Sequence, residues 1–170
     1  PALLNRVARW GEPRGVKFRS LRRVISAGAP VASSVLEQFS SLLPHDAQIF
    51  TPYGATESLP VASIGSDEVL AETRSLTEQG RGVCVGRATE NMSLNIIRIS
   101  DEAIDHWSDD ILVAPGEIGE IVGHGPVVTR EYYGRPESTR LAKINAAAGS
   151  VYHRMGDLGS QDEQGRLWFC

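Results

Sequence analysis

The chain has 170 residues, of which 41% are hydrophobic and 22% are charged, and its formal net charge at pH 7 is −4. This length allows one substantial hydrophobic core, and this composition excludes a disordered protein. No apolar run approaches the roughly 20 residues that a bilayer-spanning helix needs. The first residues, Pro1 to Trp10, also lack the basic and then apolar layout of a signal peptide. We therefore expect a cytoplasmic protein that is not an integral membrane protein.

The cysteines and the basic residues give no sign of a disulfide framework, a structural zinc or a nucleic acid partner. Cys84 and Cys170 are far apart, and neither belongs to a Cys-x-x-Cys pair or has a histidine at ligand spacing. Seven cations crowd the first stretch of the chain, as in a basic arm. They alternate with apolar residues at helical spacing, however, which favours the solvated face of an amphipathic helix and its loop.

The first part of the chain has the pattern of an α/β unit. Apolar spacing predicts a helix from Ala2 to Trp10, which Gly11 and Pro13 end. A short strand at residues 24–26, a helix at 31–43 and a strand at 47–50 follow. A strand, helix, strand order predicts a parallel pair with a right-handed crossover. Residues 59–80 have a weaker pattern, for which we expect two short helical turns, near 67–70 and 75–79, and loops.

The second part has mainly strand-like alternation. We expect a small curved sheet or distorted barrel here, with a helix opening at Pro136 and a hairpin turn near Asp162. The clearest predicted strands are residues 92–99, 120–123, 151–154 and 167–169. We thus predict an α/β fold of two parts, a partly parallel α/β subdomain at 1–80 and a mostly β subdomain at 81–170.

The stretch from Thr51 to Glu57 combines an aromatic ring, a hydroxyl and a carboxylate directly after an apolar run. We expect a strand to end there at a turn, which is where open α/β sheets place ligands. Tyr53 offers a flat face and Gly54 allows a tight turn or a close approach to a ligand. Thr56 is suited to a phosphate oxygen and Glu57 to Mg²⁺. A core tyrosine and a helix-start acid are the simpler interpretation of the same residues.

The sequence Tyr-Gly-x-Thr-Glu at 53–57 resembles the signature of the adenylate-forming superfamily, the AMP-dependent synthetases and ligases. Three further stretches resemble the family's motifs in the same order, and the likeness covers about residues 20–170. They are residues 26–31, 116–139 and 152–158. The resemblance implies that the chain is a fragment of the large N-terminal domain of this enzyme fold.

The resemblance also implies roles for individual residues toward ATP or AMP. The backbone of the turn Gly28-Ala29-Pro30 would lie against adenine, Tyr53 and Gly54 would complete the nucleotide site, and Asp157 would bind the ribose hydroxyls. Thr56 would contact the α-phosphate and Glu57 would hold Mg²⁺, so these two are the expected catalytic residues. Asp157 alone would also suit a turn-capping acid. Met155 stands where the family has threonine, so a hydroxyl contact is lost there.

Two parts that the family needs for catalysis are not in this sequence. These are the Ser/Thr/Gly-rich phosphate loop, expected upstream, and the Gly-Arg hinge with a small domain that carries a catalytic lysine, expected downstream. We therefore expect this chain alone to be inactive and the full-length parent to be an AMP-forming ligase.

Residues around the motifs resemble the olefin-biosynthesis branch, whose β-lactone synthetases were long grouped with fatty acid CoA ligases. The residues concerned are 59–62, 154–157 and 165–170. This implies a long-chain 3-hydroxy acid substrate, a β-lactone product and partners in lipid or olefin biosynthesis. A medium- or long-chain acyl-CoA synthetase, which alone would need CoA, is the alternative. A non-catalytic nucleotide-binding module and an interaction domain that binds no nucleotide are the others.

Overall fold

Nine strands form one continuous, mostly antiparallel sheet. This computed structural model describes all residues from Pro1 to Cys170. The strands are β1 (Arg23–Ile25), β2 (Gln48–Ala55), β3 (Ser58–Gly65), β4 (Val83–Ala88), β5 (Ser93–Ile97), β6 (Gly119–His124), β7 (Lys143–Asn145), β8 (Val151–Gln161) and β9 (Leu167–Phe169). Their order in the sheet is β1-β2-β3-β4-β9-β8-β6-β5, with β7 paired to β8. The predicted α/β class is confirmed.

The helices pack mainly near the first strands of the sheet, and one helix packs against β7 and β8. They are α1 (Ala2–Gly11), α2 (Ser33–Ser40), α3 (Ser66–Glu68), a π turn (Val69–Thr73), α4 (Arg74–Glu78) and α5 (Pro136–Ala142). Short 3-10 turns occupy Glu12–Arg14, Asp109–Ile111 and Ala147–Gly149. None of these helices has both the length and the apolar composition to cross a membrane.

The first core lies between α1, α2 and β2. Leu4 and Ala8, one helical turn apart, form the buried face of α1 and pack with Leu36 and Phe39 of α2 and Ile49 of β2. Helix α2 connects β1 to β2, and these two strands are parallel, as the strand, helix, strand order predicts. They are the only parallel pair of strands in the sheet.

We expected a strand to end just before the Thr51–Glu57 stretch, but most of this stretch lies within a strand. Strand β2 continues to Ala55 and turns through two residues into antiparallel β3, where the sequence pattern indicated loop. Three residues of β3 lie opposite Gly54, and a Cβ on Gly54 would collide with the carbonyl oxygen of Ser58. The close approach that needs glycine here is therefore one between two strands.

Strand β8 is the central element of the β-rich part, because it pairs with β6, β7 and β9. Residues 155–157 of β8 lie opposite the single residue Ile121 of β6, so the strand bulges there. Gly156 has φ 72°, a left-handed conformation that glycine adopts without strain. Asp157 was expected in a tight turn, but a bulge within a long strand directs its side chain instead.

Candidate functional site

A cavity of about 610 Å³ lies where the loop after β1, the end of β2 and the bulge of β8 meet. Its walls include six of the residues for which the sequence predicted nucleotide contacts. These are Gly28, Ala29, Pro30, Tyr53, Gly54 and Asp157. Two other predicted residues, Thr56 and Glu57, do not line this cavity and lie instead at the tip of the β2–β3 hairpin. The fold thus gathers three separate sequence motifs around one space.

A hydrogen bond between Tyr53 and Asp157 joins two of these motifs. The Tyr53 hydroxyl donates to Oδ2 of Asp157 over 2.7 Å, although the residues are 104 positions apart in the chain. Burial, the hydrogen bond to Asp157 and the charge of Asp157 all raise the pKa of Tyr53. Tyr53 is therefore a neutral donor that holds the Asp157 carboxylate in place at the cavity wall.

The remaining walls are mainly apolar, and the sequence assigned most of these residues no role in a site. Val31, Val83 and Val85 line the space, and the Phe169 ring lies 6.1 Å from the Tyr53 ring at a tilt of 55°. The alternation of β4 was the available signal for Val83 and Val85, and Phe169 belongs to a motif already noted. A small-residue turn facing aromatic and aliphatic side chains forms a slot of the kind that flat apolar groups occupy.

The positive charge at this cavity is already paired within the protein. Arg74 is the only cation on its walls, and it bonds both Glu78, at 3.0 Å, and Glu37, at 3.1 Å. No free cation is left there to bind a phosphate. The cavity therefore suits a nucleoside, with a flat base and hydroxyl groups for Asp157, better than it suits a phosphate chain.

Thr56 and Glu57 form the two-residue turn of the β2–β3 hairpin, with Thr56 exposed and Glu57 half-buried. The Glu57 carbonyl accepts a hydrogen bond from the Thr129 amide at 2.8 Å, which ties the turn to the β-rich part. The pKa of Glu57 is lowered by its own backbone N–H first and then by the Tyr132 hydroxyl. Burial raises this pKa by less than those two lower it, and interaction with His153 and Lys143 lowers it by smaller amounts. Glu57 is thus held as a carboxylate.

Glu57 is suited to Mg²⁺ only as one ligand among several. No group of three or more His, Cys, Asp or Glu side chains is placed to hold a metal ion. Mg²⁺ is commonly bound through one or two carboxylates together with phosphate oxygens and water. A single carboxylate at an accessible turn agrees with that mode, in which a nucleotide supplies the other oxygens.

Two ionisable residues near Glu57 were not expected there. His153, to which the sequence assigned no site role, is 3% exposed within β8, and its Nδ1 donates to the Ala142 carbonyl at 3.2 Å. Burial lowers the pKa of His153. Lys143 of β7 lies beside it and is 5% exposed. An isolated histidine or lysine carries no sequence signal of burial, because burial depends on which strands pair.

Met155, the departure from the family's threonine, packs against the apolar cluster formed by Val61, Ile121 and Leu167 with their neighbours. The methyl thioether therefore contributes to the core beside the Asp157 bulge. The position supports the site through packing, without a hydroxyl.

Comparisons with known proteins identify the family of this chain. Residues 1–133 match the family model described as AMP-binding enzyme. The whole chain is 48% identical to the olefin beta-lactone synthetase of Stenotrophomonas maltophilia strain K279a, and 47% identical to that of Xanthomonas campestris pv. campestris. It covers 31% and 30% of those proteins, so it spans about a third of their length.

A solved structure shows the same fold. The N-terminal domain of FACL13 from Mycobacterium tuberculosis superimposes with a TM-score of 0.72 at 24% identity, covering 100% of this chain and 37% of that one. The family model, the relatives and the fold agree with the four ordered motifs. The chain belongs to the AMP-binding enzyme family, the adenylate-forming ligases and synthetases.

Proposed function

We propose that this chain is part of an enzyme that uses ATP and Mg²⁺ to activate a fatty acid as its acyl-adenylate, releasing pyrophosphate. The observation that carries the proposal is the meeting of the Gly28-Ala29-Pro30 turn, the Tyr53 ring and the Asp157 carboxylate around one nucleoside-sized cavity. Adenine would lie in the apolar slot, and the ribose hydroxyls would donate to Asp157.

The hairpin tip is where we propose that the chemistry takes place. A carboxylate oxygen of the acid bonds to the α-phosphorus, the bond from that phosphorus to the bridging oxygen breaks, and pyrophosphate leaves with the electron pair. Thr56 would donate to an α-phosphate oxygen as negative charge increases there. Glu57 would hold Mg²⁺, which when bound neutralises charge on the phosphates.

For the acid itself we propose a long-chain 3-hydroxy acid that the complete protein closes to a β-lactone. The support is the 48% identity to a protein named olefin beta-lactone synthetase. In this step the hydroxyl oxygen bonds to the acyl carbon, AMP leaves with the electron pair, and the hydroxyl proton passes to solvent. No CoA is consumed. We expect the complete protein to act in the cytoplasm beside other lipid or olefin biosynthesis enzymes.

The test is a product analysis with the full-length protein, ATP, Mg²⁺ and a long-chain 3-hydroxy acid, with and without CoA. We expect AMP, pyrophosphate and a product lighter than the acid by one water, without CoA. A thioester formed only with CoA would instead assign the protein as an acyl-CoA synthetase. If no fatty acid releases AMP or pyrophosphate, the protein is a nucleotide-binding module and the proposed activity is wrong.

A further inference from the structure

A second cavity, of about 500 Å³, lies in the β-rich part next to α5 and is lined mainly by polar side chains. Its charged lining residues are Asp105, Arg130, Glu131, Arg135, Arg140 and Lys143. Arg140 is held by Asp105 at 3.0 Å, so these two charges cancel. The others leave three cations against one carboxylate, and the cavity therefore carries an excess of positive charge.

Lys143 is the buried cation of this cavity, and no carboxylate contacts its ammonium. The ammonium donates to the Thr129 hydroxyl at 3.1 Å and takes part in none of the ion pairs of the molecule. An ammonium has three N–H groups, so the Thr129 hydroxyl satisfies only one of them. Burial, partly offset by the charge of Glu57, lowers the pKa of Lys143 to about 8. Lys143 therefore lacks an anion in direct contact, and the Glu57 carboxylate acts on it only from a distance.

Two exposed arginines extend the positive charge from Lys143 to solvent. Arg130 and Arg135 both line the cavity, and neither forms an ion pair. Their guanidinium groups are free for bidentate hydrogen bonds to phosphate oxygens, which is the geometry that arginine serves best. Tyr132 lies between this cavity and the hairpin tip, since its ring is 5.7 Å from the Lys143 ammonium and its hydroxyl interacts with Glu57.

We propose that this cavity is a phosphate-binding site, separate from the nucleoside cavity, in which Lys143, Arg130 and Arg135 bind a phosphate-bearing anion. Its ligand supplies the directly contacting anion that Lys143 lacks. Pyrophosphate released at the nearby hairpin tip is one candidate for this anion, and a free nucleotide that binds through its phosphates is another. Because the proposal rests on the charge of the cavity, it does not depend on which reaction the enzyme catalyses.

The test is a calorimetric titration of the full-length protein with pyrophosphate, after α,β-methylene-ATP and Mg²⁺ have filled the nucleotide site. That analogue cannot release pyrophosphate, so binding is measured without turnover. We expect one further binding event, weakened about tenfold or more by Lys143→Met and by the double variant Arg130→Gln with Arg135→Gln. The control Arg6→Gln, which removes an exposed charge on α1, should bind pyrophosphate as the wild type does.

A parallel titration with adenosine 3′,5′-bisphosphate distinguishes the two sources. Tighter binding of pyrophosphate assigns the site to the released product, and tighter binding of the bisphosphate assigns it to a nucleotide phosphate. The proposal is overturned if neither anion binds beyond the filled nucleotide site. It is also overturned if a folded Lys143→Met variant binds these anions as the wild type does, because Lys143 then takes no part in binding them.

Discussion

Two buried cations on neighbouring strands of the β-rich part have opposite surroundings. Arg154 of β8 is 8% exposed and bonds both carboxylate oxygens of Glu120 and the carbonyls of Glu102, Leu141 and Ser100. Lys143 of β7 is 5% exposed and bonds one hydroxyl. A buried charge with all its partners in the protein holds strands together, whereas one without them is available to a ligand.

Glu120→Gln should have the largest effect, because it leaves the Arg154 guanidinium buried without a counter-charge. We expect the free energy of unfolding to fall by about 3 kcal/mol, measured by urea unfolding. Glu90→Gln, which changes an exposed glutamate without a partner, should stay within about 0.5 kcal/mol of the wild type. A loss in Glu120→Gln no larger than in this control would show that the ion pair does not stabilise the fold.

Asp162 is an acid that, like Arg154, has its hydrogen-bond partners within the protein. Burial disfavours its charge, but hydrogen bonds from Trp168 and Arg166 outweigh that effect and lower its pKa to about 2. The carboxylate therefore stabilises the fold above pH 4, and this contribution, roughly 2 kcal/mol, is lost as the pH falls toward 2. Asp162→Asn should lose about that much at pH 7 and show a smaller further loss in acid. Equal acid sensitivity of both proteins would contradict the assignment.

Tyr53→Phe tests whether the hydrogen bond from Tyr53 holds the Asp157 carboxylate in position to bind a nucleotide. The ring remains, but the hydroxyl that orients Asp157 is removed, so we expect AMP to bind about fivefold more weakly. Tyr133→Phe is the matched control, because the Tyr133 side chain is fully exposed. Unchanged AMP binding by Tyr53→Phe would contradict this role of the hydroxyl. Tighter binding would mean that the hydroxyl competes with the ribose for Asp157.

Lys143→Met should have the smallest effect on stability, and its sign is opposite to that of Glu120→Gln. The lowered pKa, about 8, means that burial of the charged form destabilises the fold at neutral pH. The penalty disappears as the pH rises from 8 toward the ordinary lysine value. The variant should therefore be as stable as the wild type at pH 7 or slightly more so, and thermal unfolding at pH 7 and 10 measures this. A clear loss of stability would contradict an unpaired Lys143.

Sequence patterns located the parts of this fold that depend on local order. Helix α1, the β1–α2–β2 crossover and the main strands of the second half follow from periodicity, and the motifs located six residues of the nucleoside cavity. Strand β3 was missed because its residues are buried in an irregular order, and Pro60 lies within it. The β8 bulge and the buried Lys143 depend on strand register, which a single sequence does not display.

The direct test of the nucleoside cavity is the affinity of the full-length protein for AMP in wild type and Asp157→Ala, measured by titration calorimetry. Asp67→Ala, a change at an exposed aspartate of α3, serves as the control, and thermal unfolding checks that each variant is folded. We expect about tenfold weaker binding in Asp157→Ala alone, from lost hydrogen bonds to a charged acceptor. Unchanged affinity in a folded Asp157→Ala protein would contradict the assignment of this carboxylate to the ribose.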